Sequence, residues 1–282
     1  VDADTTLVGV IGQPVRHSLS PLLHNTAFAA LGLNWASAAF EVAPGQVEGA
    51  LDGVRALGLA GLSVTMPHKD AVMALVDECS DVAVALGAVN CVWNREGRLR
   101  GENTDGAGFL ASLARGADFD PAGKRCLILG AGGAARAVAL ALAGAGAGTV
   151  TVRNRTASRA DAVVALAGAA GRVGRFDDDE DVAQADLVVN ATPVGMAGWS
   201  EVDSAAAEAW PVDPGLLHEG QVAADLIYVP RPTAWLAAAT AAGARPVDGL
   251  GMLVHQAAAQ LELWTGVPAP VGEMWDAVSG LA

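Results

Sequence analysis

Lysine is scarce in this chain of 282 residues, where only Lys69 and Lys124 occur. Lys69 closes the string SVTMPHK, residues 63–69, and a second unusual string, GENTDGAG, residues 101–108, carries Asp105. A lysine and an aspartate can share proton-transfer work. As an alcohol becomes a ketone its hydroxyl proton needs an acceptor, and in the reverse direction the alkoxide needs a donor. Each residue sits where a strand or loop meets a predicted helix, and such ends line the crevices of α/β proteins. A purely structural reading also fits, with Lys69 capping a helix and Asp105 serving as an N-cap.

Proton transfer of this kind accompanies hydride transfer, and a second motif supplies a place for a hydride carrier. The run CLILGAGGAARAVALALAGAG, residues 126–146, places Gly130, Gly132 and Ala135 in G-x-G-x-x-G/A spacing, after a predicted strand and at the opening of a helix. The glycines allow a sharp turn and close approach of the backbone to a pyrophosphate, whose charge meets the unpaired N–H groups at the helix start. With 34 glycines in the chain, their number says little and their order says more. The alternative is a tight strand-to-helix turn that holds no ligand. The next predicted strand ends in VRNRTASR, residues 152–159, with Arg153, Asn154, Arg155, Thr156 and Arg159. An NAD site presents a carboxylate there, which would repel a 2′-phosphate, whereas guanidinium groups pair with one. The pattern favours NADP.

The elements that must position these residues alternate short apolar runs with Ala/Leu-rich stretches, which predicts an α/β fold with largely parallel sheets. Strands are expected at residues 6–12, 35–42, 60–64, 88–93 and 98–103, the last two joined by a hairpin turn at NREG. Ser20 is expected as the N-cap of a helix with Pro21 at its first position and Gly32 beyond its end. After a helix from Asp105 to about Arg115 and a turn-rich linker, further strands are expected at 126–130, 149–154, 186–192, 222–228 and 244–249. Two domains follow, one of residues 1–105 with 251–282 and one of residues 106–250.

Composition narrows the function. A net charge of −14 argues against nucleic acid and anionic membranes as partners. No apolar run reaches the roughly 18 residues of a membrane helix, and VDADTTLVGVIG lacks the basic and apolar regions of a signal peptide. Three cysteines without metal-ligand spacing point to a reduced, cytoplasmic protein without a metal. The run DDDED, residues 177–181, reads as a solvated loop leading into a helix N-terminus rather than a metal site.

Almost end to end, the chain resembles the shikimate dehydrogenases. The resemblance runs through GVIGQPVRHSLSPLLHN, SVTMPHK, GAVNCV, GENTDGAGF, GAGGAARA, NRT, NATPVGM, DLIYVPRPT and DGLGMLVHQAAAQLELWTG. It implies an N-terminal α/β substrate domain, a Rossmann-type NADP domain, an active site in the cleft between them, and reversible reduction of 3-dehydroshikimate to shikimate. By the same resemblance Ser18 and Ser20 bind the substrate carboxylate, with Tyr228 reaching in from the other domain. Thr65, Asn90, Asp105 and Gln256 hold ring hydroxyls, and Lys69 gives or takes the proton. Gly130, Ala131, Gly132, Gly133 and Ala134 cradle the pyrophosphate, and Asn154, Arg155, Thr156 and Arg159 meet the adenosine phosphate. Thr192, Val194, Gly249 and Met252 lie along the nicotinamide and its ribose. Met252 and Gln256 stand one helical turn apart, so one helix face can offer an apolar contact to the nicotinamide and an amide to the substrate.

The resemblance has one departure, Ser63 where the family commonly has Asn, a shorter side chain behind Thr65 and Lys69, which both remain. None of His17, His24, His68 and His255 replaces a family catalytic residue, and His218 reads as a surface residue. Two other readings are weighed. An NAD-using quinate/shikimate dehydrogenase is disfavoured by the arginines of residues 153–159 and by the SLS string, and a non-catalytic NADP(H) sensor by the presence of Lys69 and Asp105. The family analogy allows a homodimer or a monomer.

Overall fold

Apolar runs of four to seven residues become the central strands, the Ala/Leu-rich stretches become helices, and both collect in two compact units. The first comprises Val1–Asp105 with Leu253–Leu281, the second Gly106–Met252. The computed structural model describes residues 1–175, 179–196 and 212–281.

In the first unit the order is β1 (Thr6–Gly12), α1 (Ser20–Ala30), β2 (Trp35–Glu41), α2 (Val47–Leu57), β3 (Gly61–Val64), α3 (Lys69–Met73), β4 (Glu78–Cys79), α4 (Asp81–Leu86), β5 (Cys91–Arg95) and β6 (Arg98–Glu102). The six strands form one mixed sheet in the order β2-β1-β3-β5-β6-β4. β1 runs parallel to β2 and β3, while β5 is antiparallel to β3 and β6. The predicted hairpin turn is there: Glu96 and Gly97 both adopt positive φ, 55° and 85°, as a two-residue turn between right-twisted strands requires. One face of the sheet is packed with Ile11, Leu62, Val64, Val92 and Leu99 against Leu51, Val54 and Val72.

The helix α5 (Asp105–Ala117) leads into the second unit. There β7 (Arg125–Leu129), α6 (Gly133–Gly144), β8 (Thr149–Arg153), α7 (Ala157–Val164), β9 (Gly171–Val173), α8 (Asp179–Gln184), β10 (Leu187–Asn190), β11 (Val222–Asp225), α9 (Ala234–Ala241) and β12 (Arg245–Val247) follow. Then come α10 (Gly249–Thr265), in which the division between units falls, and α11 (Val271–Ser279). All six strands of the second sheet pair in parallel, in the order β12-β11-β10-β7-β8-β9. Chain order reverses at β7, which lies between β8 and β10, and this is where doubly wound sheets open a ligand crevice beyond their strand ends. Both faces are covered, so β7 is apolar throughout its last four residues. Cys126 and Ile128 pack toward Phe109, Val138 and Leu142, and Leu127 and Leu129 toward Val182, Trp235 and Leu236.

β5 begins at Cys91, three residues later than expected, and β12 is confined to Arg245–Val247; at three further boundaries a polar side chain captures backbone. Ser20 is the first residue of α1 and Leu19 takes the N-cap place, while the Ser18 hydroxyl accepts the Ser20 N–H at 3.3 Å. β10 stops at Asn190, whose Oδ1 takes the Thr192 N–H at 3.1 Å. β11 stops at Asp225, whose Oδ1 takes the Ile227 N–H at 3.1 Å. Such local bonds compete with a sheet ladder and end it. Asp179, Glu180 and Asp181 occupy the first turn of α8, where the helix dipole favours negative charge, and Asp177 and Asp178 lie outside the described residues. No helix among the described residues is long and apolar enough to cross a membrane.

Candidate active site

In the first unit β3 ends at Val64 and the chain turns through Thr65 into α3, whose first residue is Lys69. The buried His68 fixes this turn by donating from Nε2 to the Val42 carbonyl at 2.7 Å, and the Lys69 carbonyl accepts the Val89 N–H at 2.8 Å. Asp105 is the first residue of α5, and Asn103 ties the approach by donating to the Ala88 carbonyl and accepting the Asp105 N–H. These restraints bring the two sequence-predicted proton carriers together: Lys69 Nζ donates to Asp105 Oδ2 at 2.5 Å. The ammonium side chain keeps 28% exposure and the carboxylate 12%, so the pair is sheltered yet reachable.

The other carboxylate oxygen is held too. Asn90, buried at the head of β5, donates from Nδ2 to Asp105 Oδ1 at 2.7 Å and to Thr104 Oγ1 at 3.0 Å. Its own Oδ1 accepts the Thr104 N–H at 2.8 Å. Thr104 Oγ1 in turn donates to the Gln256 carbonyl at 3.1 Å, joining α10 to the cluster. Lys69, Asp105, Asn90 and Gln256 thus belong to one polar network, with Thr104 and Gln260 as members that the sequence reading passed over.

Ser18, Ser20 and Thr65 have no hydrogen bond to that network. Thr65 is half-buried against β1, where a Cβ on Gly12 would stand 2.5 Å from Thr65 Cγ2, so glycine is needed at position 12. Among the described residues no cluster of three or more His, Cys, Asp or Glu could hold a metal ion. Of the histidines outside the β3–α3 turn, His24 is structural and His218 superficial. His24 is fully buried, 3.2 Å from Ser37 Oγ and edge-on to Trp264, and burial pushes it down to about 3. His218 is exposed, and the Glu219 and Ala183 carbonyls raise it. All three cysteines are free, and burial raises each, Cys126 to about 12.

In the second unit the turn from β7 to α6 has the features an anion cradle needs. Gly130 has φ +108°, and a Cβ there would lie 2.8 Å from the Ala191 carbonyl oxygen. Gly132 takes the N-cap place of α6 with no side-chain cap, and the space beside Gly132 and Gly133 is open to 4 Å. The first N–H groups of α6 are therefore free to meet a phosphate, with half-buried Ala131 and Ala134 beside them and Ala135 packed beneath. A dinucleotide's pyrophosphate fits this chemistry.

Beyond β8, Arg155, Thr156 and Arg159 are exposed, and Asn154 Nδ2 bonds the Thr156 carbonyl at 2.9 Å. Arg153 departs from the predicted set. Only 3% exposed, it turns toward α8 and pairs with Asp181 at 3.3 Å, which leaves two arginines for a 2′-phosphate. Thr192 donates to Asn190 Oδ1 at 2.6 Å and accepts the Val194 N–H at 3.2 Å, so the two form one tight loop at the end of β10. Gly249 opens α10 pressed on the Leu226 carbonyl, which any side chain would strike, and Met252 packs on the core of the second unit. Tyr228 is half-buried, and burial raises its phenol. The Asp225 carboxyl is likewise raised by burial, although Thr233, Ile227 and Asn190 all hydrogen-bond it.

Comparison with known proteins agrees along the chain. Residues 10–92 match the family profile described as shikimate dehydrogenase substrate binding domain, residues 112–196 that of shikimate/quinate 5-dehydrogenase, and residues 249–278 that of shikimate 5'-dehydrogenase C-terminal domain. The chain is 47% identical over 285 residues to the shikimate dehydrogenase (NADP(+)) of Methanopyrus kandleri, covering 99% of this chain and 96% of that protein. A crystal structure of a shikimate dehydrogenase in complex with NADP+ superposes with a TM-score of 0.90 at 37% identity, over 99% of this chain and 96% of that one. The enzyme of Thermus thermophilus in complex with NADP(H) and shikimate gives 0.85 at 39% identity, over 97% and 98%.

Proposed function

Because this chain belongs to the shikimate dehydrogenase family, we propose that it catalyses the reversible, NADP-dependent reduction of 3-dehydroshikimate to shikimate, a step of aromatic amino-acid biosynthesis. NADP, when bound, supplies the hydride in one direction and accepts it in the other. The proton is the protein's share. In oxidation the Lys69 side chain acts as the neutral amine, taking the proton that leaves the reacting hydroxyl as the C–O bond becomes a carbonyl and so becoming the ammonium, and in reduction the ammonium returns that proton to the oxygen. Asp105 holds Nζ in place and, with Asn90 and Gln256, meets the ring hydroxyls. The observation that carries this reading is the 2.5 Å contact of Lys69 with a carboxylate whose other oxygen is fixed by buried Asn90.

Thr65 joins the hydroxyl set, and Ser18, Ser20 and Tyr228 are assigned to the substrate carboxylate. A ring with several hydroxyls is told from its analogues by paired hydrogen bonds, because a buried polar group left unpaired costs about 1–3 kcal/mol. For the cofactor, the bare start of α6 supports Gly130, Ala131, Gly132, Gly133 and Ala134 as the pyrophosphate cradle. The exposed guanidinium groups support Arg155 and Arg159, with Asn154 and Thr156, as the site of the 2′-phosphate. Thr192, Val194, Gly249 and Met252 are assigned to the nicotinamide side. Apart from Tyr228 and Met252, residues 1–105 and 251–282 serve the substrate in this division and residues 106–250 the cofactor. Free thiols support a cytoplasmic setting, and the family analogy supports a homodimer.

Steady-state nicotinamide absorbance with shikimate or quinate, each with NADP+ or NAD+, tests the reading. Shikimate with NADP+ is expected to give the highest kcat/KM. Fastest turnover of quinate with NAD+, or no turnover in any combination, overturns it.

A further inference from the structure

The network behind Asp105 has a direction that two backbone groups impose. A carbonyl can only accept and an N–H can only donate. The Asn90 carbonyl oxygen already accepts the Val64 N–H at 2.8 Å and lies 3.1 Å from the side-chain amide of Gln260. That amide must therefore present its nitrogen. The same nitrogen lies 2.9 Å from the Gln256 side chain, so Gln256 must present its oxygen to Gln260. The Gln256 nitrogen then points the other way, where one N–H reaches the Leu253 carbonyl at 2.8 Å and the second has no partner among the described residues.

Gln260 is suited to impose this order because it is buried and held on two sides. It is 0% exposed, and its Oε1 has no hydrogen-bond partner among the described residues, so both of its restraints come through the nitrogen. One helical turn further along α10, Trp264 Nε1 donates to the Val92 carbonyl at 2.9 Å, and Gly61 makes room for the indole, since a Cβ there would collide with it. Residues 256, 260 and 264, spaced by four, thus lie along one stripe of α10 that is tied to the β5 segment at two carbonyls two residues apart.

We propose that Gln260 is a positioning residue: locked by the Asn90 carbonyl, it orients Gln256 so that an amide N–H, and not the amide oxygen, meets a ring hydroxyl of the substrate. This rests on the assignment of Gln256 to the substrate made above. Gln256 then recognises an oxygen lone pair, and Gln260 itself touches neither substrate nor cofactor.

The test is steady-state kinetics with shikimate and NADP+ on the wild type, Gln256→Ala, Gln260→Met and the double variant. Each single substitution is expected to raise the KM for shikimate about tenfold, the worth of one oriented hydrogen bond. kcat should stay within about twofold and the KM for NADP+ should not change, since the lost contact serves substrate binding alone. The double variant is expected to be no worse than Gln256→Ala, because Gln260 acts only through Gln256. Multiplying effects in the double variant, or an unchanged KM in Gln260→Met beside a raised one in Gln256→Ala, overturns the role of Gln260 alone. An unchanged KM in Gln256→Ala removes the substrate assignment as well. Should Gln260→Met fail to fold, a neutron structure of the wild type decides: deuterium on the Gln256 nitrogen facing Gln260 refutes the proposal, and deuterium on the Gln260 nitrogen facing both Asn90 and Gln256 upholds it.

Discussion

Replacing Asn90 by leucine, close to it in shape, separates the packing role of that side chain from its hydrogen bonds. The buried Thr104 N–H would lose its acceptor at 2.8 Å, at a cost of about 1–3 kcal/mol. The Asp105 carboxylate would lose its N–H at 2.7 Å, a charge-assisted bond worth about 1.5–3 kcal/mol. Added apolar burial offsets part of this, so a net destabilisation of roughly 2–4 kcal/mol is expected, or about 10 °C in the unfolding midpoint. With one carboxylate oxygen released, Lys69 is no longer aimed, and a misplacement near 1 Å costs up to about a hundredfold in kcat. Asn90→Asp provides the contrast. It keeps an acceptor for Thr104 but sets a second carboxylate 2.7 Å from Asp105, a repulsion of roughly 4–6 kcal/mol at an effective dielectric of about 20. Calorimetry and steady-state kinetics read both effects. An Asn90→Leu protein melting within about 2 °C of wild type, with kcat within about twofold, would refute the reasoning.

Arg155→Ala is expected to weaken NADP(H) by about ten- to a hundredfold while changing NAD(H) little, as loss of one charge-assisted contact requires; equal losses for the two cofactors would contradict a 2′-phosphate site there. The buried His24, held down at about 3 against an ordinary 6.5, contributes stability that is full above pH 6.5 and is lost as pH falls toward 3. Urea unfolding should show wild type losing roughly 2 kcal/mol more than His24→Gln between pH 7 and pH 5, and parallel losses would argue against a neutral buried ring. At Gly130 a methyl group would meet both a positive φ and the Ala191 carbonyl. Gly130→Ala should therefore cost about 1–3 kcal/mol of stability and raise the KM for NADP+, whereas unchanged values for both would show that the turn tolerates a Cβ.

Much of this was legible in the residues, and the misses share a cause. The β7–α6 turn could be read because its signal is local: a strand, two glycines, a small residue and a helix in consecutive order. Lys69 and Asp105 stood out as types able to move a proton, but their meeting depends on how β3 and β6 place the starts of α3 and α5, which no spacing reports. Arg153 was assigned by proximity in sequence to Arg155. Strand alternation held a correction, since Val150 and Val152 fill one core and Arg153 must face the other side, but its partner Asp181 lies on a separate helix. Strand ends at Asn190 and Asp225 were overrun because apolar periodicity cannot see a side chain capturing the next backbone N–H. Thr104 and Gln260 were passed over because each acts by a contact with a distant segment, although the four-residue step from Gln256 to Gln260 was visible.

The central claim is that Lys69 Nζ carries the proton. The most direct test is kcat for Lys69→Met with shikimate and NADP+, in a variant confirmed by circular dichroism to fold. A fall of about a thousandfold, with a much smaller change in the KM for shikimate, is the expected result. Turnover near that of the wild type would place the proton transfer on another group and contradict the account.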